Sequence, residues 1–416
     1  MMRWPALITV VLAVAVTAPV RAERTDLPPT AAVDEALDSD PGVTAAAARV
    51  DAALSRARML DAGTHEVTVT GNYLRRTIDQ VGSYDEFDAI VGRAVRLPGK
   101  ASLDRAAGAL GVEVAENLME DARHQAALTL SGLWHDWLLA GELYRNDAAT
   151  VASYQKALQA TELRTALRDA AALDVDQARS ALAQAQAQLT VSASTKQRTR
   201  AMLAATYPGL PLPAEPPALG APVLPAESLP QLRNLVIERS HEIRAADREA
   251  ARLDVVARRV RQDRVADPTI GVRVLSERSG METGIGVVAS MPIGGSYRRA
   301  AADQASADAN VATIDLLQAR RMVEATADTD LIDAQTRIAA WRATQVAVES
   351  AAAAAQRMAR GQKLGAIDLT DLLYAERQAN DARRSEIMAR AEAARGLFKL
   401  RIDSHTIWAP GHEEHK

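Results

Sequence analysis

Two acidic residues, Asp368 and Asp371, lie three positions apart where a predicted helix begins. Residues with this spacing share one helix face, so both carboxylates point the same way. Carboxylates grouped at a constriction concentrate cations and repel anions. Acids in a first helical turn also stabilise the positive end of the helix dipole. The sequence leaves both roles open.

Histidines are the second group that could carry chemistry. Three of the seven fall in the last twelve residues, beside Glu413 and Glu414: His405, His412 and His415. Histidine-rich tails bind transition metals, which makes these three weak metal candidates, although a solvated tail is the favoured interpretation. The other four are scattered without the HExxH spacing of a zinc enzyme, and we interpret them as structural: His65, His124, His135 and His241.

No constellation of nucleophile, base and cofactor loop is recognisable in the sequence. The glycine-containing run at 284–289 resembles a dinucleotide fingerprint, but that fingerprint needs a helix directly after the glycines. Here the run is strand-like and is followed by Pro292. We therefore predict neither catalysis nor a cofactor.

The composition favours long helices over a thick globular core. Hydrophobic residues make up 48% of the 416 positions but aromatic residues only 3%, so most of the apolar fraction is small. Alanine is the best helix former and buries little surface. The formal net charge of −4 argues against nucleic acid as a partner. Cysteine is absent, so disulfides do not stabilise the fold.

The first residues are typical of a secretory signal peptide. Arg3 precedes an apolar run at 6–20, and small residues occupy positions 20 and 22. We expect cleavage after Ala22, so that residues 1–22 are removed. The alternative, a retained anchor helix, needs ~20 apolar residues, and this run is shorter.

The mature sequence is a duplication. Residues 36–43, 97–100 and 173–175 align with residues 236–243, 293–296 and 367–369 at a nearly constant offset. The predicted organisation is a first repeat at 23–207, a proline-rich equatorial linker at 208–230, a second repeat at 231–402 and a polar tail at 403–416. Each repeat comprises a half-length helix, a β-hairpin, a long helix and a second half-length helix.

Helix lengths predict how each repeat folds back on itself. The half-length helices span 31–62 and 231–262, the long helices 100–168 and 298–362, and the returning helices 174–206 and 368–402. At 1.5 Å per residue, two half-length helices laid end to end match one long helix. The linker and the tail are then expected at mid-height.

The strands alternate between apolar and polar residues. They begin at about 66, 87, 269 and 285, and each provides an apolar face such as Val67, Val69 and Tyr73. This alternation is typical of strands that face lipid, and also of half-buried soluble strands. Four strands leave exposed sheet edges, whereas three chains supply twelve strands, enough to enclose a lumen. We therefore predict a homotrimer.

The duplicated layout, the four strands and the segment GAIDLTDLL at 365–373 resemble the TolC-like outer-membrane efflux protein family. The resemblance covers nearly all of the mature sequence. It implies a mainly α fold with a small β part: long-helix hairpins form an α-barrel wall, and two β-hairpins contribute four strands to a trimeric 12-stranded outer-membrane β-barrel. The corresponding segment of the first repeat, LRDAAALDV at 167–175, lacks the glycine of the family pattern.

The resemblance also implies a role and partners. Such proteins are passive exit ducts that contact outer-membrane lipid, a periplasmic adaptor and an inner-membrane transporter, here expected to be of the RND type. The periplasmic tips would contact the adaptor through six residues: Asp169, Ala170, Leu173, Lys363, Leu364 and Gly365. Asp371 matches the family's entrance carboxylate. The acidic tip and histidine-containing tail favour heavy-metal cations as cargo. The alternative is a soluble periplasmic coiled-coil adaptor or scaffold, which needs only one helical hairpin.

Overall fold

A computed structural model describes residues 27–408. The predicted signal peptide, residues 1–22, lies outside the described residues, as do His412 and His415. Within the described range the fold is mainly helical with one small antiparallel sheet, as predicted.

The two repeats have the same order of elements. The first contains α1 (Thr30–Asp38), α2 (Pro41–Ala62), β1 (Val67–Ile78), β2 (Gly82–Ala94), α3 (Lys100–Ala166) and α4 (Ala172–Thr206). The second contains α5 (Leu229–Arg239), α6 (His241–Gln262), β3 (Thr269–Glu277), β4 (Glu282–Ser290), α7 (Ser296–Lys363) and α8 (Leu369–Asp403). α3 packs along α2 and α4, and α7 packs along α6 and α8. Two half-length helices therefore line each long helix.

The first half-length helix of each repeat is broken, which corrects the single helices predicted at 31–62 and 231–262. α1 ends at Asp38, and Asp40 caps α2, because its Oδ1 accepts hydrogen bonds from Gly42 N at 2.7 Å and Val43 N at 3.3 Å. Ser240 caps α6 by accepting from Ile243 N at 3.1 Å. Such caps satisfy the free N–H groups of a new helix start, so a separate helix begins after each of these residues.

The four strands form one sheet in the order β1-β2-β3-β4. Its register aligns one valine from each strand in a row, since Val69 pairs with Val91, Val91 with Val272, and Val272 with Val287. These side chains share one face of the sheet and are exposed, with Val69 at 71% and Val287 at 79%. One face of the sheet is therefore apolar and uncovered in the isolated chain.

The opposite face of the sheet carries most of the polar side chains of the strands. Thr70 lies on it, and Asp88 accepts a hydrogen bond from Arg273 Nε at 2.8 Å. The predicted apolar face is thus confirmed in all four strands, while the opposite face is mixed, since Leu74, Ile90 and Leu275 also lie on it. No helix within residues 27–408 is long and apolar enough to cross a membrane.

The main core lies near the middle of α3. Trp134, Trp137 and Leu130 are fully or almost fully buried there, together with Phe398 of α8 and Tyr207 after α4. The linker docks beside them, because Arg145 Nη1 donates to Pro216 O at 3.1 Å and Leu219 N donates to Glu142 Oε1 at 3.0 Å. A Cβ at Gly141 would lie 2.2 Å from Pro216 Cγ, so only glycine permits this close approach.

Candidate functional site

The α7–α8 tip is a tight turn that requires glycine. Gly365 has φ +74°, in the left-handed region. Ala366 N donates to Gly361 O at 2.9 Å, and Gly365 N donates to Gln362 O at 3.1 Å. These bonds satisfy the last carbonyls of α7 in the manner of a Schellman motif.

The α3–α4 tip adopts the same turn without glycine. Arg168 takes the left-handed conformation with φ +60°, and Asp169 N donates to Arg164 O at 2.8 Å. The Arg164 guanidinium returns a hydrogen bond from its Nε to Asp169 Oδ2 at 2.9 Å. A non-glycine residue in this conformation costs on the order of 1 kcal/mol, and the salt bridge partly offsets that cost.

The predicted tip residues lie at one end of the helices. Five of them are exposed and Ala170 is half-buried, and the most exposed apolar side chains are Leu364 at 84% and Leu173 at 64%. The two tips lie side by side, since Thr370 Oγ1 donates to Gln177 Oε1 at 3.1 Å and Ala178 is buried against Leu369. The predicted contact residues of both repeats therefore share one accessible surface.

Asp368 caps the start of α8. Its Oδ1 accepts a hydrogen bond from Asp371 N at 2.8 Å, and both side chains are exposed. In the first repeat Asp174 Oδ2 performs a related role by accepting from Ala171 N at 3.1 Å. The capping role predicted as one alternative is thus observed for Asp368, while the pore role of both aspartates stays a prediction.

Sequence reasoning missed a polar clamp that fastens α8 to α3. Asn380 Oδ1 accepts from Asn146 Nδ2 at 2.8 Å and from Thr150 Oγ1 at 2.9 Å. One turn along α8, Arg384 pairs with the buried carboxylate of Asp147. A groove of about 430 Å³ separates α4 from α8 between this clamp and the tips. The i, i+4 spacing of Asn380 and Arg384 was visible in the sequence, but nothing there indicated their partners.

His405 does not lie in a solvated tail. Its ring packs against those of His124 and His241, with centroids 5.0 and 4.6 Å apart. These residues looked scattered in the sequence, yet the fold brings them together near mid-height. Within residues 27–408, no three histidine, aspartate or glutamate side chains are arranged to hold a metal ion.

Comparison by sequence finds no matching family model and no matching curated protein. Comparison of structures does find matches. The outer membrane protein VceC from Vibrio cholerae has a TM-score of 0.76 at 16% identity, over 90% of this chain and 95% of VceC.

Two further channel structures match over similar spans. CusC, whose structures describe transmembrane channel formation, has a TM-score of 0.73 at 15% identity, over 90% of this chain and 91% of CusC. The MtrE outer membrane channel of Neisseria gonorrhoeae, in its open state, has a TM-score of 0.66 at 16% identity, over 90% and 88%. The chain thus has the TolC-like outer-membrane channel fold that the resemblance predicted.

Proposed function

We propose that this chain is the outer-membrane channel of a tripartite efflux system and conducts substrates passively to the cell exterior. The observation that carries the proposal is the sheet with one exposed apolar face running through all four strands. Exposed apolar patches of this kind mark an interaction surface. In a chain that shares the fold of outer-membrane channels, outer-membrane lipid is the fitting occupant.

The edges of the sheet support a homotrimer. β1 and β4 each pair on one side only within the chain, which leaves an unpaired edge at both ends. Unpaired edges recruit further strands, and β4 of one chain can pair with β1 of the next. Three copies would close a 12-stranded barrel with the polar face, including Asp88 and Arg273, towards the lumen.

The tips support docking to a periplasmic adaptor, which would link the channel to an inner-membrane transporter of the RND type. Leu364 and Leu173 expose apolar side chains at the end farthest along the helices from the sheet. Asp169, Ala170, Lys363 and Gly365 flank them. Exposed leucines rimmed by charged residues are typical of a protein interface.

Heavy-metal cations stay a proposal for the cargo. The exposed pair Asp368 and Asp371 supports this cargo. His405 does not, because it is packed among helices and does not lie in a free tail. Deleting residues 409–416 and measuring zinc, copper and cobalt tolerance tests whether His412 and His415 contribute. Unchanged tolerance to all three metals would remove the tail from the argument.

Two adjacent substitutions test the membrane role. Val69→Arg places a charge on the apolar face, whereas Thr70→Arg places the same charge on the polar face. A charge facing lipid costs about 2–4 kcal/mol near the bilayer midplane. We expect Val69→Arg to lower the amount of crosslinked trimer in the outer-membrane fraction, and Thr70→Arg to assemble normally.

The wild-type fraction decides between the two functions predicted from the sequence. Recovery of the wild-type chain wholly in the soluble periplasmic fraction would overturn the channel and favour the adaptor or scaffold. Equal assembly of both arginine variants would overturn the assignment of the lipid-facing side.

A further inference from the structure

Three histidines from distant parts of the sequence meet where the chain leaves α8. His124 comes from the middle of α3, His241 is the first residue of α6, and His405 lies just beyond the end of α8. Their rings are in contact, with His405 between the other two. The cavity that they line together with Arg123 and Trp408 is small, about 10 Å³.

The segment 404–408 is held against both repeats by hydrogen bonds to its carbonyls. Arg239 Nη1 donates to His405 O at 3.2 Å and to Ser404 O at 3.3 Å. Arg123 Nη1 donates to Trp408 O at 2.8 Å, and the Trp408 ring packs edge-on against Phe398 with centroids 4.7 Å apart. Docking therefore fixes the end of α8 to α3 and α5 at mid-height.

The charged groups around the histidines come from every neighbouring helix. His124 Nε2 lies 3.0 Å from Asp403 Oδ1, and Lys399 Nζ lies 2.6 Å from both Asp403 and Asp330. The others on α3, α5 and α6 are of both signs: Glu120, Asp121, Arg123, Arg239, Glu242 and Arg244.

The structure disfavours the charged form of two of the imidazoles. Burial, followed by repulsion from His124, His241 and Arg244, lowers the pKa of His405 to about 3. Burial and the positive charge of Arg244 lower the pKa of His241 to about 4. A proton added here enters a partly buried site already bordered by the guanidinium groups of Arg123 and Arg244.

We propose that His405 and His241, packed with His124, form a proton-operated latch that keeps segment 404–408 docked while the imidazoles are uncharged and releases it on acidification. His124 Nε2 is already engaged with Asp403, and no described group is arranged to bind a metal. A proton is the ligand proposed for this site. The inference depends on the fold and holds whether or not the chain is a channel.

The direction of the effect follows from the lowered pKa values. Docking is fully stabilised above the ordinary histidine pKa of about 6.5 and weakens as the pH falls towards the docked values. Each such histidine weakens docking about tenfold per pH unit in this window. Between pH 7.5 and 5.5 we expect about a tenfold loss from His405 alone, and about 100-fold if His241 is also released.

Three acids oppose this trend. Mainly because they are buried, Glu120, Asp121 and Asp330 have raised pKa values. These groups take up protons more readily in the docked state, so their protonation stabilises docking as the pH falls. A variant that removes only the histidines separates the two contributions.

Hydrogen–deuterium exchange of the full-length protein in detergent measures the latch directly. The amides of Ser404, His405 and Thr406 donate to Leu400 O, Ile402 O and Arg401 O in the last turn of α8, and we expect these bonds to open when the segment is released. After correction for intrinsic exchange, their protection factors in the wild type should fall from pH 7.5 to 5.5, by the roughly 10- to 100-fold that the histidines contribute less the part that the three acids offset. Amides at 130–138 in the main core serve as the internal reference.

Two variants complete the test. H241Q/H405Q retains polar side chains that cannot titrate, so its protection at 404–406 should stay constant or rise over the same range because only the three acids still contribute. H65Q alters a histidine that pairs with Asp267 at the sheet end and should behave as the wild type. Wild-type protection that is unchanged at pH 5.5, or an equal fall in H241Q/H405Q, would overturn the proposal.

Discussion

Substituting Asp368 by asparagine or by alanine separates its capping role from its charge. Asparagine is as good an N-cap as aspartate, whereas alanine removes the oxygen that accepts from Asp371 N at 2.8 Å. Loss of a cap costs about 1 kcal/mol, which corresponds to about a fivefold change in the opening equilibrium. We therefore expect D368A to lower protection of the Asp371 and Leu372 amides about fivefold in hydrogen exchange, and D368N to leave it unchanged.

The charge is tested on the same residues in planar bilayers. If Asp368 and Asp371 line the entrance of a trimer, D368N/D371N deletes six negative charges while keeping the cap. The double variant should lose cation preference and resist block by a trivalent cation added from the tip side. D368A/D371N should show the same conductance change but weaker protection of the turn. Equal selectivity and block in D368N/D371N and the wild type would refute the pore role and leave only the cap.

Further predictions concern the turns, the linker and one buried acid. Gly365→Ala should destabilise its turn by about 1 kcal/mol and Arg168→Gly should stabilise the equivalent turn, as read from exchange at each tip. Gly141→Ala should lower the melting temperature because its Cβ meets the linker proline, whereas Gly132→Ala, with open space around it, should gain up to ~1 kcal/mol. Burial raises the pKa of Asp330 to about 7, so the folded state favours the protonated side chain. The stability that this preference adds is complete below the ordinary pKa of aspartate and is lost as the pH rises through about 7. Asp330→Asn should therefore raise the melting temperature relative to the wild type more at pH 8 than at pH 5.

Periodic and local signals in the sequence predicted most of the fold. The long helices begin and end within two residues of the prediction, because alanine-rich composition and flanking glycines act locally. The strand faces were also correct, since alternation in β1 and β3 reports directly which side chains share a face. The half-length helices were predicted as unbroken because their helical pattern is continuous. In the structure a single capping side chain, Asp40 or Ser240, interrupts that pattern.

Contacts between distant segments could not be predicted in the same way. The pairing of Asn380 with Asn146 and the meeting of His405 with His124 each join residues more than two hundred positions apart. Both contacts depend on how α8 is rotated about its axis relative to α3. No short pattern in one sequence indicates that rotation. The same reason explains why His405 was assigned to a tail.

The near-equal lengths of α3 and α7, 67 and 68 residues, make the pair a molecular ruler. Each added residue lengthens a helix by 1.5 Å and rotates everything beyond it by about 100°. A single insertion in α3 alone would therefore move one tip out of step with the other and turn Arg168 away from its present direction. Lengthening is tolerable only in matched steps of about seven residues, applied to both long helices and to the helices that return beside them. The number of residues in the long helices thus sets the distance between the sheet and the tips. Evolution can change that distance only by lengthening or shortening all of these helices together.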